Sequence, residues 1–498
     1  MPEIGLSFNE KNFEYDVYTL VKAFYPRGEV QTWYEDETPK FESPDIRMSL
    51  QKTADTYVFT ICQKDAEPVV RSRSVAPGTG RGDEKNILKQ LVYTTLAEVT
   101  KRELPWGDLT GIRPTKIPMG LLYKGWKNVD IAKHMRDTYF TGNKKTALAI
   151  AVANQEKYLL DELDPANGYS LYIGIPFCPS ICLYCSFGSH PLEKHKKWVK
   201  PYLQALYKEL KYIAKAMEGR RLTTIYIGGG TPTSLDEEDL GELLEVISEN
   251  FPFDGLKEFT CEAGRPDTIT EGKLLAMLAN GVNRISINPQ TMNQKTLDLI
   301  GRRHTVEQTI EAFHMAREAG FTNINMDLIA GLPGEGQKEV GITLEKIEEL
   351  SPDSLTVHSL ALKRSSGLNY LKDKYADISF NNSDVIMDMV ERTAGRLGMR
   401  PYYLYRQKNI AGNLENVGYA RNDCFGLYNI LIMEEMQTIM AAGSGAISKF
   451  VYGDGRIERA DNVKDIYNYT DRIDEMIQRK EDALNLYLQA QKERKCEE

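Results

Sequence analysis

The chain contains few cysteines and carries no surplus of positive charge. Only seven of its 498 residues are cysteines, and an odd number of thiols in a chain this long does not make the disulfide framework of a small secreted protein. The formal net charge is −9 and the pI is near 5.5, so the chain lacks the basic excess of a nucleic-acid scaffold. We therefore expect reduced thiols and no nucleic-acid partner.

Long apolar runs are also missing. No stretch approaches the roughly 20 residues that span a bilayer, and the N-terminus, Met1–Gly5, lacks the charged and apolar segments of a secretory signal. The apolar share of 42% and the charged share of 27% are those of an ordinary soluble protein. We expect a cytoplasmic monomer without a membrane span, and the length predicts two or three domains.

Three of the seven cysteines lie within eight positions, as Cys178, Cys182 and Cys185. The apolar segment 171–175 before them predicts a strand that ends at Pro176, so the thiols belong to the loop after its C-terminal end. Ligand sites of parallel α/β folds collect at such ends. One short loop of this spacing can bind an iron–sulfur cluster. Three thiolates leave one iron of a four-iron cluster open to a substrate or cofactor.

Two other interpretations of the thiols are a structural zinc site with His190 as a fourth ligand, and free cysteines without a metal. Structural zinc usually draws on two separated ligand pairs, and the sequence has no second C-x-x-C and no H-x3-H. The pattern therefore favours a cluster. The other cysteines are expected to be reduced thiols, with strands predicted around two of them, Cys62 and Cys261.

Changes in pattern along the chain predict three segments. Residues 1–165 read as a mixed α/β module, with a strand at 57–61, a helix between 83 and 104, and further helices at 128–138 and 143–163. The glycine-rich stretch 77–82 lacks the Gly-Lys-Ser/Thr ending of a phosphate-binding loop, so we expect an ordinary loop there. In the connector 104–116, Trp106 and Arg113 are expected to be packing and capping residues.

Residues 166–370 alternate strand and helix six times, which predicts a parallel sheet with right-handed crossovers. The predicted strands are 171–176, 222–227, 257–262, 284–288, 323–328 and 354–360. Residues 371–498 form a third, α+β segment with a helix at 383–397 and a charged helical tail from Val463. We expect the charge run 478–482 to be a solvated helix face.

Residues suited to ligand binding follow each predicted strand. After the second strand, Gly229, Gly230 and Thr231 allow backbone N–H groups to approach a carboxylate or an amine closely, although an ordinary turn is the alternative. A glutamine amide or a guanidinium can hold hydroxyls and carboxylates. The later strand ends supply Glu262, Gln290, Arg302, Asp327 and Ala361. Glu262 could also be a salt-bridged residue, and Arg303 and His304 could be helix-capping and surface residues.

The cysteine motif and its flanks, Tyr-Ile-x-Ile-Pro-Phe and Cys-x-Tyr-Cys-x-Phe, resemble radical S-adenosylmethionine (SAM) enzymes of the oxygen-independent coproporphyrinogen III dehydrogenase group. Segments 261–266, 285–293 and 403–419 resemble the HemZ-type branch of that group. The resemblance implies an α/β fold: a partial (β/α)6 radical SAM barrel with an N-terminal α/β module and a C-terminal α+β extension that covers the substrate. It also implies a 4Fe–4S cluster and one or two molecules of SAM.

The same resemblance implies the residues of the site. The cluster ligands would be Cys178, Cys182 and Cys185. The cofactor-binding residues would be Tyr172, Tyr184, Gly229, Gly230, Thr231, Glu262, Gln290, Arg302, Asp327, Ala361 and Ile447. No catalytic side chain is assigned.

In the resembled dehydrogenases, SAM is cleaved to a 5′-deoxyadenosyl radical that takes a propionate β-hydrogen, carbon dioxide leaves, and a vinyl group results. The implied partners are a tetrapyrrole substrate and an electron donor such as flavodoxin or ferredoxin. Two departures resemble the heme-chaperone branch instead: Phe187 replaces a fourth cysteine, and Tyr184 replaces a phenylalanine. A heme chaperone of the HemW type without turnover, and a radical SAM methyltransferase or ring-opening enzyme acting on heme, are therefore the alternatives.

Overall fold

A computed structural model describes residues 1–64, 66–163, 165–186, 188–361, 367, 382–407 and 414–497. The chain divides into two compact units, Met1–Asn154 with Arg406–Leu414, and Gln155–Tyr405 with Glu415–Glu498. The predicted boundary at 370/371 lies outside the described residues, as do Asp164 and Phe187, and the three-part division stays a prediction. No helix in the described part of the chain combines the length and apolar composition needed to cross a bilayer.

The first unit is built on a five-stranded sheet in the order β2-β1-β3-β4-β5. Its strands are β1 (Glu3–Phe8), β2 (Glu29–Tyr34), β3 (Ile46–Thr53), β4 (Thr56–Gln63) and β5 (Val69–Ser74), and its helices are α1 (Glu14–Phe24), α2 (Arg81–Thr100), α3 (Lys116–Tyr123) and α4 (Asn128–Tyr139). A further helix, α5, spans Asn143–Leu163. The predicted strand and helices are confirmed, and the glycine-rich stretch is a loop up to Gly80.

Apolar side chains at alternate positions of the strands form the core of the first unit. Ile4, Leu6 and Phe8 point to one face of β1 and pack with apolar residues of α1 and α2. In the connector, Trp106 is fully buried, as expected of a packing residue. A Cβ on Gly107 would lie 1.9 Å from the carbonyl oxygen of Tyr139, so only glycine allows the connector to approach α4 this closely.

The second unit contains an eleven-stranded sheet in the order β14-β15-β13-β12-β11-β10-β9-β6-β16-β17-β18. The parallel strands are β6 (Gly168–Ile175), β9 (Arg221–Gly229), β10 (Glu258–Glu262), β11 (Arg284–Ser286), β12 (Ile324–Ala330), β13 (Ser354–Ser359) and β16 (Thr438–Ala442). The antiparallel edges are β14 (Arg400–Tyr405), β15 (Asn416–Ala420), β17 (Ile447–Val451) and β18 (Ile457–Asp461), and a two-stranded sheet joins β7 (Phe177–Cys178) to β8 (His190–Pro191).

All six predicted strands of the middle segment are confirmed, and they are consecutive neighbours in one parallel series. Helices connect them, as parallel strands require. They are α6 (Leu192–His195), α7 (Val199–Ala216), α8 (Glu237–Asn250), α9 (Glu271–Ala279), α10 (Gln294–Leu299), α11 (Val306–Ala319) and α12 (Gln337–Leu350). After them come α13 (Asp384–Arg396), α14 (Leu427–Glu434), α15 (Ile466–Asp471) and α16 (Ile473–Glu497). Within the described residues the sheet is not closed, because its edge strands β14 and β18 do not pair.

The two faces of the parallel sheet differ in polarity. One face carries buried apolar rows such as Leu171, Ile225 and Phe259, which stand in register. The other face carries polar rows in the same register. These are Tyr172, Tyr226, Thr260 and Arg284, then Glu262, Ser286, Asn325 and Ser354, then Asp327 and Thr356. Parallel strands are normally apolar on both faces, so the polar face marks the candidate site.

The charge run 478–482 is only partly the solvated face that the sequence predicts. Lys480 is fully buried and lies 2.6 Å from the equally buried Glu209 of α7, because the two elements pack together. Glu209 also accepts hydrogen bonds from Tyr469 and from the backbone N–H of Gly443. The buried pair therefore holds the turn that follows β16. The expectation was wrong for Lys480.

Candidate cluster and cofactor site

The three cysteines lie on a loop that backbone hydrogen bonds hold in place. Cys178 ends β7, which pairs with β8. The N–H of Leu183 donates to the carbonyl of Ile300 at 2.9 Å, and the N–H of Cys185 donates to the carbonyl of Cys182 at 3.0 Å. Cys182 is buried, and the other two thiols are half-buried. The loop therefore presents three sheltered sulfur atoms after β6.

The surroundings of the thiols suit a positively charged cluster core. Burial raises the pKa of Cys178 to about 11, so a nearby cation is needed to stabilise its thiolate. The hydroxyl of Thr231 lies 3.5 Å from the sulfur of Cys178, and Arg265 Nη1 lies 3.9 Å from the sulfur of Cys182. Donors of this kind stabilise iron-bound thiolates. The residues present thus fit a 4Fe–4S cluster.

A single-metal zinc site finds no support in the described part of the chain, where no group of three His, Cys, Asp or Glu side chains is placed to hold one metal ion. His190, the possible fourth ligand, lies edge-on against His195 with ring centroids 5.0 Å apart. Burial, with His195 nearby, lowers the pKa of His190. The imidazole therefore belongs to a histidine pair on β8 and α6.

The glycine turn after β9 fastens the cysteine loop. The N–H of Gly230 donates to Ile175 at 2.7 Å, and the N–H of Thr231 donates to Phe177 at 2.8 Å. These two amides are used within the protein, which differs from the expectation that they approach a ligand. A Cβ on Gly230 would lie 2.6 Å from the carbonyl oxygen of Phe177. Glycine is required here by close backbone approach.

Glu262 ends β10 on the polar face. Burial, together with the nearby charge of Asp327, raises the pKa of Glu262 to about 7, although hydrogen bonds from Tyr226 and from the Gly229 N–H oppose the shift. A carboxyl group with this pKa changes its charge within the physiological range. It is therefore placed to respond to a cationic ligand at the strand ends.

Three tyrosines stack beside Glu262. The ring of Tyr226 lies 4.6 Å from that of Tyr428 and 6.3 Å from that of Tyr172. The interplanar angles are 22° and 16°. Tyr172 and Tyr226 are paired residues of neighbouring strands, so the stack follows from sheet register. The tyrosines form a flat aromatic wall along the polar face.

Asp327 on β12 is held as a carboxylate. Burial favours its neutral form, but the imidazole of His358, whose Nε2 lies 3.9 Å from Oδ2, the hydrogen bond from Asn325 and the charge of Arg284 lower its pKa. Gln290 lies beside it: the N–H of Gln290 donates to the carbonyl of Asp327 at 2.9 Å. Gln290 has a left-handed φ of +68°, and its buried Oε1 accepts no hydrogen bond within the described residues. Strained backbone and an unsatisfied amide oxygen are typical of a binding position.

Arg302 and Tyr184 form one unit with the strand-end backbone. Arg302 Nη1 donates to the Tyr184 hydroxyl at 2.8 Å, and Nη2 donates to the carbonyls of Gly264 and Asn288 at 2.6 and 2.7 Å. Only Nε of this guanidinium has no protein partner among the described residues. Arg302 therefore joins the cysteine loop to the ends of two strands.

The last two predicted contacts differ in exposure. Ala361 follows β13 and is half-buried. Ile447 begins β17 and is 40% exposed. Their roles in cofactor binding stay predictions. Of the two residues after Arg302, Arg303 is exposed, as expected of a surface residue. His304 is fully buried, so its expected surface position was wrong.

His304 does not cap the helix either. The N-cap of α11 is Thr305, whose side chain and backbone exchange hydrogen bonds with Gln308. Burial, together with the charges of Arg302 and Arg265, lowers the pKa of His304 to about 3. The imidazole is therefore a neutral core group beneath the cysteine loop.

Several residues of the polar face are absent from the sequence-based set, namely Tyr226, Arg265, Arg284, His358 and Tyr428. Most of them carry a signal that was available. The signal is a polar residue at every second position of a predicted parallel strand, as in Arg284, Ser286 and Asn288. A parallel strand that is buried on both faces normally has apolar residues at these positions. Tyr428 comes from α14, which no strand pattern could place beside Tyr226.

Comparisons with known proteins agree with this geometry. The radical SAM superfamily matches residues 172–347. The oxygen-independent coproporphyrinogen-III oxidase-like protein HemZ of Bacillus subtilis is 42% identical over 395 residues, which cover 78% of this chain and 79% of that protein. The heme chaperone HemW of the same organism is 40% identical over 196 residues, or 39% of this chain and 51% of that protein.

A solved structure gives a similar result. Coproporphyrinogen III oxidase (HemN) from Escherichia coli, described as a radical SAM enzyme, superposes with a TM-score of 0.50 and 26% identity, covering 64% of this chain and 73% of that one. A 4Fe–4S cluster and SAM are the cofactors of this superfamily and of this protein. The chain belongs to the radical SAM superfamily, to its oxygen-independent coproporphyrinogen III oxidase group and to the HemZ-like branch of that group.

Proposed function

We propose that this protein is a radical SAM oxidoreductase that decarboxylates propionate side chains of coproporphyrinogen III to give protoporphyrinogen IX without oxygen. The observation that carries the proposal is the polar face of the parallel sheet. It brings an aromatic wall, two half-buried carboxyl groups and a buried guanidinium to the strand ends next to the cysteine loop. The 42% identity to a coproporphyrinogen oxidase-like protein supports the same substrate class.

Cys178, Cys182 and Cys185 would hold the cluster, and the open iron would bind SAM. When bound, the two cofactors supply one-electron cleavage of SAM and abstraction of a hydrogen atom from the substrate. We propose that Glu262 binds the ammonium group of SAM, because its carboxyl group lies at the glycine turn and accepts a hydrogen bond from the Gly229 N–H. Its charge would then be neutralised on binding.

The remaining contacts follow from the strand ends. Asp327, held ionised by His358 and Asn325, and the free Oε1 of Gln290 would accept hydrogen bonds from ribose hydroxyls. Arg302 would position Tyr184 and the cysteine loop, with Nε left for the SAM carboxylate. We further propose that Tyr172, Gly229, Ala361 and Ile447 complete the cofactor site, and that Gly230 and Thr231 line it through groups other than their amide N–H, which are bonded within the protein.

Electron delivery, assembly and location form the rest of the proposal. A flavodoxin or ferredoxin would donate the electron, one or two SAM molecules would bind, and the protein would act in the cytoplasm as a monomer. Three exposed lysines, Lys194, Lys196 and Lys197, follow β8 directly. They would give an acidic electron donor a docking point close to Cys178.

A heme chaperone is the second candidate function. It is favoured by the 40% identity to HemW over 196 residues, and by Tyr184 and Phe187 in the motif. Such a protein would keep the cluster and bind heme without turnover. A methyltransferase or ring-opening enzyme acting on heme is a third alternative, which would yield a methylated or opened tetrapyrrole.

One anaerobic experiment separates these candidates. The reconstituted protein is incubated with SAM, dithionite and coproporphyrinogen III, and the products are analysed by mass spectrometry beside a Cys182→Ala control. We expect loss of carbon dioxide from the tetrapyrrole together with substrate-dependent 5′-deoxyadenosine, and neither product from the control. SAM cleavage without decarboxylation would overturn the substrate assignment. Stoichiometric heme binding without substrate-dependent 5′-deoxyadenosine would establish the chaperone.

A further inference from the structure

The Arg265 guanidinium is buried against the cysteine loop. The residue is 4% exposed and follows β10, the strand that carries Glu262. Its Nη1 lies 3.0 Å from the hydroxyl of Ser180 and 3.9 Å from the sulfur of Cys182. It therefore reaches the segment between the first two cysteines from a strand end that is 83 residues away in sequence.

Neighbouring groups fix this guanidinium in place. Asp267 accepts two hydrogen bonds, from Nε and Nη2, each at 3.0 Å. The carbonyl of Arg265 accepts the hydroxyl of Thr268 at 2.7 Å, and Ser180 donates onward to the carbonyl of Gly301 at 3.3 Å. A bidentate carboxylate and an anchored backbone leave the arginine little freedom. Its N–H group is thus pre-positioned at the sulfur.

Among the described residues, the buried charges around the loop do not balance. The guanidinium of Arg302 is also buried, at 3% exposure, on the Tyr184 side of the loop. His304 lies 3.8 Å from Asp267 and is neutral. Asp267 is the one carboxylate that contacts either arginine among the described residues. Two buried cations beside one anion are costly to desolvate, and further negative charge nearby would stabilise them. Iron-bound thiolates would provide such charge.

We propose that Arg265 is a positioning residue that raises the reduction potential of the cluster by donating an N–H to the sulfur of Cys182 and placing a fixed positive charge beside it. One-electron reduction makes a cluster more negative by one charge, and a cation or donor at a ligand sulfur stabilises the reduced form. The inference depends on the cysteines being the ligands. It does not depend on which tetrapyrrole the protein acts on.

The test is an anaerobic redox titration of the reconstituted cluster, followed by electron paramagnetic resonance, with iron and sulfide counted beforehand. Arg265→Gln removes the charge, and the exposed Arg303→Gln is the matched control. For Arg265→Gln we expect the equilibrium constant for reduction by dithionite to fall about tenfold, equivalent to about 59 mV for one electron. Arg303→Gln should leave the potential unchanged.

A second variant keeps the test decisive if Arg265→Gln takes up no cluster. Asp267→Asn removes the anion that offsets Arg265, so the potential should rise. Opposite shifts in the two variants support the proposal, since a merely structural role would not give them opposite signs. Where Arg265→Gln takes up no cluster, a rise in Asp267→Asn supports it. A full cluster with unchanged potential in Arg265→Gln, or an unchanged or lower potential in Asp267→Asn, would overturn it. No substrate is used, so the result is independent of the decarboxylation assay.

Discussion

The Tyr226 hydroxyl donates a hydrogen bond to the Glu262 carboxyl group between two neighbouring parallel strands. This bond and the N–H of Gly229 favour the carboxylate, but burial prevails and raises the pKa of Glu262 to about 7. A carboxyl group with an ordinary pKa of 4.5 would be fully ionised at neutral pH. The pKa of Glu262 lies instead near neutrality, so its charge depends on pH and on what binds beside it.

SAM binding should therefore strengthen as pH rises from about 5.5 to 7, because Glu262 gains the negative charge that pairs with the ammonium group, and an α-amino pKa of about 7.7–8.0 keeps that group protonated in this range. Glu262→Gln should bind SAM about tenfold more weakly at pH 7, since a charge-assisted hydrogen bond contributes about 1.5–3 kcal/mol, and should lose this increase. Equilibrium dialysis of the reconstituted protein measures both. The control is Glu271→Gln on the exposed side of α9. An equal pH dependence in Glu262→Gln would exclude this carboxyl group as its source.

The pH dependence of folding stability without ligand has the opposite sign to that of SAM binding. The folded state binds the Glu262 proton more tightly than the unfolded state, so its contribution favours folding below pH 4.5 and is lost as pH rises through about 7. Glu262→Gln should remove this part of the pH dependence. Thermal unfolding of the cluster-free protein at pH 5 and pH 8, compared with Glu271→Gln, measures the difference. An unchanged difference in Glu262→Gln would contradict the pKa shift.

Replacing Cys178, Cys182 or Cys185 by Ala should each abolish the visible absorbance of the cluster, because no spare thiol lies in the loop. Cys424→Ala, a half-buried thiol elsewhere in the second unit, is the control and should keep iron and colour. Iron and sulfide analysis after anaerobic reconstitution measures the effect. Full iron content in all three variants would refute the ligand assignment.

The strands and the cysteine loop could be predicted because their signals are local. Apolar β-branched runs determine where strands such as β6 and β12 lie, and the thiol spacing needs only a few residues to interpret. Arg265 could not be placed in this way. Its partners Ser180 and Cys182 lie more than 80 residues earlier, and an arginine before a proline has no sequence feature that separates a surface position from a buried one.

The burial of the charged residue Lys480 could not be predicted from the sequence either. A lysine within a charged helical run is normally solvated, and its burial depends on Glu209, 271 residues away. The sequence predicts that Arg302 follows a strand end, but its hydrogen bonds to Gly264 and Asn288 arise from how two loops meet. Contacts that depend on long-range packing cannot be inferred from periodicity or spacing.

Lys480→Met should destabilise the second unit by about 3–5 kcal/mol, because it leaves the buried Glu209 carboxylate without its cation. Lys492→Met, on the exposed side of the same helix, should change stability by less than about 0.5 kcal/mol. Denaturant unfolding monitored by circular dichroism compares the two. Glu209→Gln combined with Lys480→Met should recover part of the loss, since both charges are then removed. Equal stability of Lys480→Met and Lys492→Met would contradict the buried pair.

Gly230→Ala should weaken cluster binding through backbone packing alone. Its Cβ would lie 2.6 Å from the carbonyl oxygen of Phe177 and 2.8 Å from that of Ile175, so the turn and the cysteine loop must separate. The hydrogen bond from the Gly230 N–H to Ile175 would lengthen, and overpacking of this kind costs about 1–3 kcal/mol. We expect a lower melting temperature and less iron per chain after reconstitution. Gly241→Ala is the matched control, because its Cβ on α8 has no atom within 4 Å and a helical alanine is favoured. A Gly230→Ala protein with full iron content and an unchanged melting temperature would show that this glycine turn does not position the thiols.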